Sequence, residues 1–123
     1  MEKYLAVLTG AAFGGLARYI VYTAIMSRFS GTFPLGTVVV NVTGCFVIGL
    51  LMPLFLDPLS PHQNWRLFLV TGILGGYTTF SSFMWEAVQA ASMGERLESV
   101  ANIVVSVVAG YTAVWCGSLI TRR

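Results

Sequence analysis

The sequence predicts an all-α membrane protein of four transmembrane helices, with the third broken near its middle. Three observations predict it. Hydrophobic residues make up 56% of the 123 and charged residues only 10%, and the mean hydropathy is +0.78, well outside the soluble globular range. The apolar residues gather into four runs, each long enough to cross a bilayer, which takes roughly 20 residues, so lipid is the chain's surrounding medium. In the third run, the glycines and hydroxyls of GILGGYTTFSSFMWE, Gly72 to Glu86, interrupt the apolar pattern. At membrane depth such an interruption is tolerated only where the freed backbone is buried in protein or lines a polar cavity.

The first span is Tyr4 to Met26. The opening MEKYLAVLTGAAFGG has the look of a signal peptide, but apolar character resumes beyond Arg18, so the segment reads as a retained helix. Gly10, Gly14 and Arg18 recur at i, i+4 and i+8, with Ala11 and Gly15 beside them. The GxxxG spacing lets another helix approach closely. Arg18, well inside the span, must snorkel to a surface, find a partner or meet a cavity.

The second span, Leu35 to Leu56, carries Thr37, Asn41, Gly44 and Cys45 on one face, at spacings of three and four. An amide such as Asn41 inside a bilayer either bonds a neighbouring helix or contacts a ligand, and spacing leaves both open. Cys45 and Cys116 fall inside apolar runs and read as reduced packing residues, with no disulfide or metal pattern.

The third span, Trp65 to Ala91, is the longest. As one straight helix rising about 1.5 Å per residue it would exceed a hydrocarbon core of roughly 30 Å. A break near Gly75 to Thr78 resolves the excess, leaving one half-helix that ends around Gly75 and another that starts at Thr78 or Thr79 with a hydroxyl N-cap. The carbonyl end of the first half suits a cation and the amide end of the second suits an anion. Phe80 and Phe83, spaced i, i+3, share a face with each other and approximately with Glu86. They read either as core or as ring edges toward a small anion, which could also meet the Asn41 amide and the hydroxyls of Thr79, Ser81 or Ser82.

The fourth span, Leu97 to Ile120, aligns Ser99, Asn102, Ser106 and Gly110, the pattern of small polar residues at a helix interface. The connections SRFSGTFP, DPLSPHQN and MGER are short and rich in turn formers, so neighbouring helices run antiparallel. Residues 1–123 therefore read as a single four-helix domain.

Charge and motif content narrow the function. A net charge of +2, with scattered arginines, gives no footprint for nucleic acid. The one histidine, His62, lies in a loop, and no Ser/His/Asp, Cys/His or paired-carboxylate arrangement assembles within the spans, so an enzyme is not indicated. Lys3, Arg66, Arg122 and Arg123 fall on one side against Arg28 and Arg96 on the other, a weak bias compatible with insertion in both orientations. Four helices fill their own interior, so a polar path calls for a dimer. An antiparallel dimer would set two helix-3 breaks back to back around one cation.

GGLARY in the first span, GTVVVNVTGCFVIG in the second and GGYTTFSSFMWE in the third, in this order, resemble the small fluoride channels called CrcB or Fluc, across essentially the whole chain. The resemblance implies a dual-topology homodimer in the bacterial inner membrane that passively exports fluoride from the cytoplasm along two antiparallel pores. It implies a pore asparagine at Asn41, paired pore phenylalanines at Phe80 and Phe83, a polar track including Ser81, Ser82 and Glu86, and Arg18 near a pore entrance; Thr79 and Ser106 are expected to line the same pore. It also implies a structural sodium held at the dimer centre by the backbone carbonyls of Gly75 and Thr78 from both subunits. The family's hydroxyl run is commonly TTFSTF and here reads TTFSSF, so Ser82 keeps the hydroxyl and lacks a methyl.

Two rival readings are a proton-coupled exporter resembling the small multidrug transporters and a non-transporting scaffold subunit. The former rely on a glutamate embedded in helix 1, where this chain has only Arg18.

Overall fold

The computed structural model describes residues 1–55 and 63–121. His62, most of the DPLSPHQN connection, and Arg122 and Arg123 of the charge count lie outside the described residues. Helix α1 is Glu2–Met26 and α2 is Leu35–Leu51, the latter running into a 3-10 turn, Met52–Phe55. Pro53 falls within this turn, where a residue without an N–H cannot continue the α ladder. Helix α3 covers residues 63–77 as one helical run, with wide π turns over Leu67–Leu74 between short α segments Gln63–Arg66 and Gly75–Tyr77. Helix α4 is Phe80–Ser92 and α5 is Arg96–Thr121. Among the described residues, four stretches are long and apolar enough to span a membrane: Glu2–Met26, Leu35–Phe55, Gln63–Ser92 and Arg96–Thr121.

The interruption in the third stretch lies later than its glycines suggest. Gly75 is helical (φ −63°, ψ −35°), and the Thr78 N–H still reaches Leu74 O at 3.0 Å. Thr78 and Thr79 then leave the helical region, at φ −82°, ψ 158° and φ −149°, ψ 121°. Glycine permits a helix to end without forcing it to, and in an apolar setting an intact ladder is the only internal partner for the backbone.

The two halves of this stretch have different neighbours. Helix α3 packs along α1, whereas α4 packs on α5, and α2 packs along α5. The glycines of α1 explain the first contact: a Cβ on Gly10 would stand 2.9 Å from Gly72 Cα, and one on Gly76 would stand 3.0 Å from Ala11 Cα. Small residues on both sides thus bring the backbones together, as GxxxG spacing predicts. The α2–α5 seam uses the same device, since a Cβ on Gly49 would stand 3.0 Å from Val114 Cα and one on Gly117 3.0 Å from Leu50 N.

Polar contacts close the ends. Thr32 Oγ1 donates to the Glu98 carboxylate at 2.7 Å, tying the α1–α2 loop to the start of α5, and Thr121 Oγ1 donates to Leu50 O at 2.9 Å. Gly94, at φ 87°, turns the chain out of α4 while the Glu95 N–H reaches back to Ala90 O at 2.9 Å. Val38, Val40, Leu74, Phe83 and Ala87 are buried, together with the polar Thr37, Ser99, Asn102 and Ser118. Large apolar side chains such as Phe13 and Ile20 on α1 and Val104 and Val108 on α5 face outward, the surface of a chain that meets lipid or another chain.

Candidate functional site

The site is built around the two extended residues Thr78 and Thr79. An extended pair between helices loses its ladder bonds, and in a bilayer these must be replaced from within the protein. Asn41 on α2 replaces two of them. Its Oδ1 accepts the Thr79 N–H at 2.8 Å and its Nδ2 donates to Thr79 O at 2.9 Å. Of the two readings open for Asn41, the interhelical bond is therefore present. An amide carries two N–H donors, so one remains beyond this clasp.

The threonine hydroxyls finish the helix ends. Thr78 Oγ1 donates back to Leu74 O at 2.9 Å. Thr79 is the N-cap of α4: its Oγ1 accepts the Ser82 N–H at 3.2 Å and donates to Ser82 Oγ at 3.0 Å. Arg18 turns inward, with Nη1 3.4 Å from Thr78 O, which leaves most of its five N–H donors for the space beside the interruption.

Two clefts flank these residues. The first, about 660 Å³, is lined by Arg18, Thr37, Thr79, Ser81, Ser82 and Glu86, with Gly15, Tyr19, Tyr22, Val40 and Trp85. The second, about 380 Å³, is lined by Asn41, Gly75, Thr78, Thr79, Phe80, Phe83 and Ser106, among others. Within one chain the sequence-predicted site residues thus divide into a hydroxyl and charge group and an aromatic and amide group, with Thr79 common to both. Phe80 and Phe83 do meet, ring centroids 5.8 Å apart in an edge arrangement. Phe83 is 4% exposed and Phe80 is 74% exposed.

Glu86 is not with the phenylalanines. It lies in the first cleft, where Thr37 Oγ1 donates to its Oε1 at 2.6 Å, while its Oε2 is buried without a partner among the described residues. The i, i+4 relation to Ser82 decides the face, because at 100° per residue Glu86 stands closer to Ser82 than to Phe80. On α5, Ser106 donates to Asn102 Oδ1 at 3.2 Å and reaches the second cleft, while Ser99, Asn102 and Gly110 are buried.

Two backbone carbonyls where α3 ends, those of Gly75 and Thr78, fall outside its regular N–H ladder. The donor four residues beyond Gly75, the Thr79 N–H, is engaged by Asn41, and the extended Thr78 directs its own oxygen off the helix. Arg18 takes one lone pair of the Thr78 oxygen and a second remains. Gly75 is exposed, and among the described residues the only atom within 4 Å of a Cβ placed there is Val70 O, 3.9 Å away. Among the described residues no group of three His, Cys, Asp or Glu side chains could hold a metal, and oxygens of backbone, hydroxyl and amide groups lie around the interruption.

Sequence reading missed the partners on α2. Thr37 holds Glu86, Thr43 Oγ1 lies 2.9 Å from the Tyr77 hydroxyl, and Gly44 makes room for the Thr78 methyl, whose Cβ would stand 3.7 Å from a Cβ at position 44. Only the polar face of α2 signalled them, and spacing on one helix does not say which residues of another it meets.

The fold and the site define a multi-pass membrane protein with an interrupted span, whose facing helix ends carry opposite partial charge. More specifically, the chain belongs to the CrcB family: residues 5–118 match the family described as CrcB-like protein, Camphor Resistance (CrcB). It is 54% identical to the fluoride-specific ion channel FluC of Solibacter usitatus, covering 98% of this chain and 99% of that one. It is 42% identical to the protein of the same name from Acidobacterium capsulatum (98% and 97% covered) and 39% identical to that from Rhizobium meliloti (99% and 98%).

Proposed function

We propose that the chain is a fluoride-selective channel that passively exports fluoride across the bacterial inner membrane and so confers fluoride resistance. The observation that carries this reading is the end-to-end match to proteins named fluoride-specific ion channels, within which the interruption and both clefts lie. Fluoride is small and strongly hydrated, so permeation requires closely spaced donors in place of its water. The first cleft offers the Arg18 guanidinium and the hydroxyls of Thr79, Ser81 and Ser82 at the positive end of α4. The second offers the remaining Asn41 N–H, Ser106 and the ring edges of Phe80 and Phe83. A narrow path excludes larger halides.

The working unit in this reading is a dual-topology homodimer in which a second copy closes the open clefts into two antiparallel pores. Support comes from Gly75, for which the described residues of the single chain provide no packing reason, and from Phe80, bare beside the interruption. Two copies back to back would offer four neutral carbonyls, from Gly75 and Thr78 of each, to a structural sodium. The cation neutralises the negative ends of both α3 helices and is not transported. The coupled-exporter reading is not favoured, because the only acidic residue of α1 is Glu2 at its very start. Phe80→Ala and Asn41→Ala in proteoliposomes test the assignment: both suppress fluoride efflux while dimers still assemble, and unchanged efflux refutes it. Crosslinking that yields only parallel dimers would refute the dual topology.

A further inference from the structure

We propose that Tyr77 and Thr43 form a lock that sets the geometry of the interruption between α3 and α4, and through it the direction of the Gly75 and Thr78 carbonyls. Three consecutive residues, the last of α3 and the two extended residues after it, each have a counterpart on α2. The Tyr77 hydroxyl meets Thr43 Oγ1 at 2.9 Å, the Thr78 methyl fits over Gly44, and Thr79 is clasped by Asn41.

The direction of the first bond follows from proton counting. Thr43 Oγ1 already donates to Val39 O at 2.7 Å, and one hydroxyl has one proton, so Tyr77 is the donor and Thr43 the acceptor. The backbone of Tyr77 is held from the opposite side, since a Cβ on Gly14 of α1 would stand 2.9 Å from Tyr77 N. The last turn of α3 is therefore gripped between α1 and α2. That turn begins with Gly75 and ends immediately before Thr78. A ring free to swing would let the turn rotate, and with it the direction of the two carbonyls. Tyr77 and Thr43 line neither cleft and act as positioning residues.

The lock rests on the cation reading given above, and the test separates the two. The purified protein in detergent is melted over a sodium chloride series, with N-methyl-glucamine chloride holding ionic strength constant. The wild-type Tm rises with sodium. Tyr77→Phe and Thr43→Val each raise the sodium concentration for the half-maximal rise three- to tenfold, the double variant raises it no further, and Thr43→Ser, which keeps the acceptor, restores the wild-type midpoint. A role in packing alone lowers Tm at every sodium concentration and leaves the midpoint in place, which overturns the lock, as do additive shifts in the double variant. A wild type indifferent to sodium overturns the cation reading and the lock together. Tyr77→Phe removes a single oxygen and no packing, so it suffices alone should Thr43→Val not fold.

Discussion

The side-chain amide of Asn41 and the peptide of Thr79 exchange two hydrogen bonds, of 2.9 Å and 2.8 Å, so that one residue of α2 stands in for the missing helical turn. Each such bond contributes about 1 kcal/mol net, and a buried peptide group left unpaired costs roughly 1–3 kcal/mol.

Replacing Asn41 therefore affects stability and conduction together. Asn41→Ala lowers unfolding stability by about 2–4 kcal/mol and reduces fluoride efflux more than tenfold. Asn41→Asp keeps an acceptor for the Thr79 N–H and loses the donor, so it recovers part of the stability and none of the flux, because its charge repels an anion. Thermal melts and liposome efflux on the same preparations separate the two effects.

The paired phenylalanines respond differently although they touch. Phe83 is 4% exposed, and Phe83→Ala costs about 3–5 kcal/mol through the cavity it leaves. Phe80 is 74% exposed, so Phe80→Ala leaves the melt of the single chain within about 1 kcal/mol. Its loss is expected in fluoride efflux alone.

The glycines divide by what lies opposite them. Gly72→Ala sets a Cβ 2.8 Å from Gly10 Cα, so it separates α1 from α3 and lowers the yield of folded protein. Gly75→Ala meets only Val70 O at 3.9 Å within the chain. Its helix content by circular dichroism is expected to match the wild type, while dimers on size-exclusion chromatography are lost.

Arg18 is tested by charge and by shape. Arg18→Gln removes the cation from the first cleft and lowers fluoride efflux about tenfold, the order expected from losing roughly 1.4 kcal/mol of charge stabilisation. Arg18→Lys keeps the charge and not the planar fork, and is expected to fall between the two. Efflux rates at low ionic strength show the difference most clearly.

The four apolar stretches were legible because span length and hydropathy are local properties, and Thr79 as a cap was legible because a hydroxyl before an apolar run has one common use at a helix start. The position of the interruption was not. Glycines mark where a helix can stop, and here the ladder continues through Gly75 until Asn41 offers the Thr79 peptide a better partner. The site residues were legible as a set, but their division between two clefts required knowing how α4 is rotated against α2 and α5. Glu86 shows the limit: it stands i, i+3 from Phe83 and i, i+4 from Ser82, and the structure places it with Ser82. The α2 partners Thr37, Thr43 and Gly44 depend on tertiary contact, which periodicity along one helix does not encode.

The central claim is that the donors around the interruption replace fluoride's water and reject larger halides. Liposomes containing the purified chain, loaded in parallel with fluoride or chloride and diluted into ion-free medium without a proton gradient, test it directly. Rapid fluoride release and chloride retention are expected. Equal release of both ions, or no fluoride release from protein shown to be folded and inserted, would contradict it.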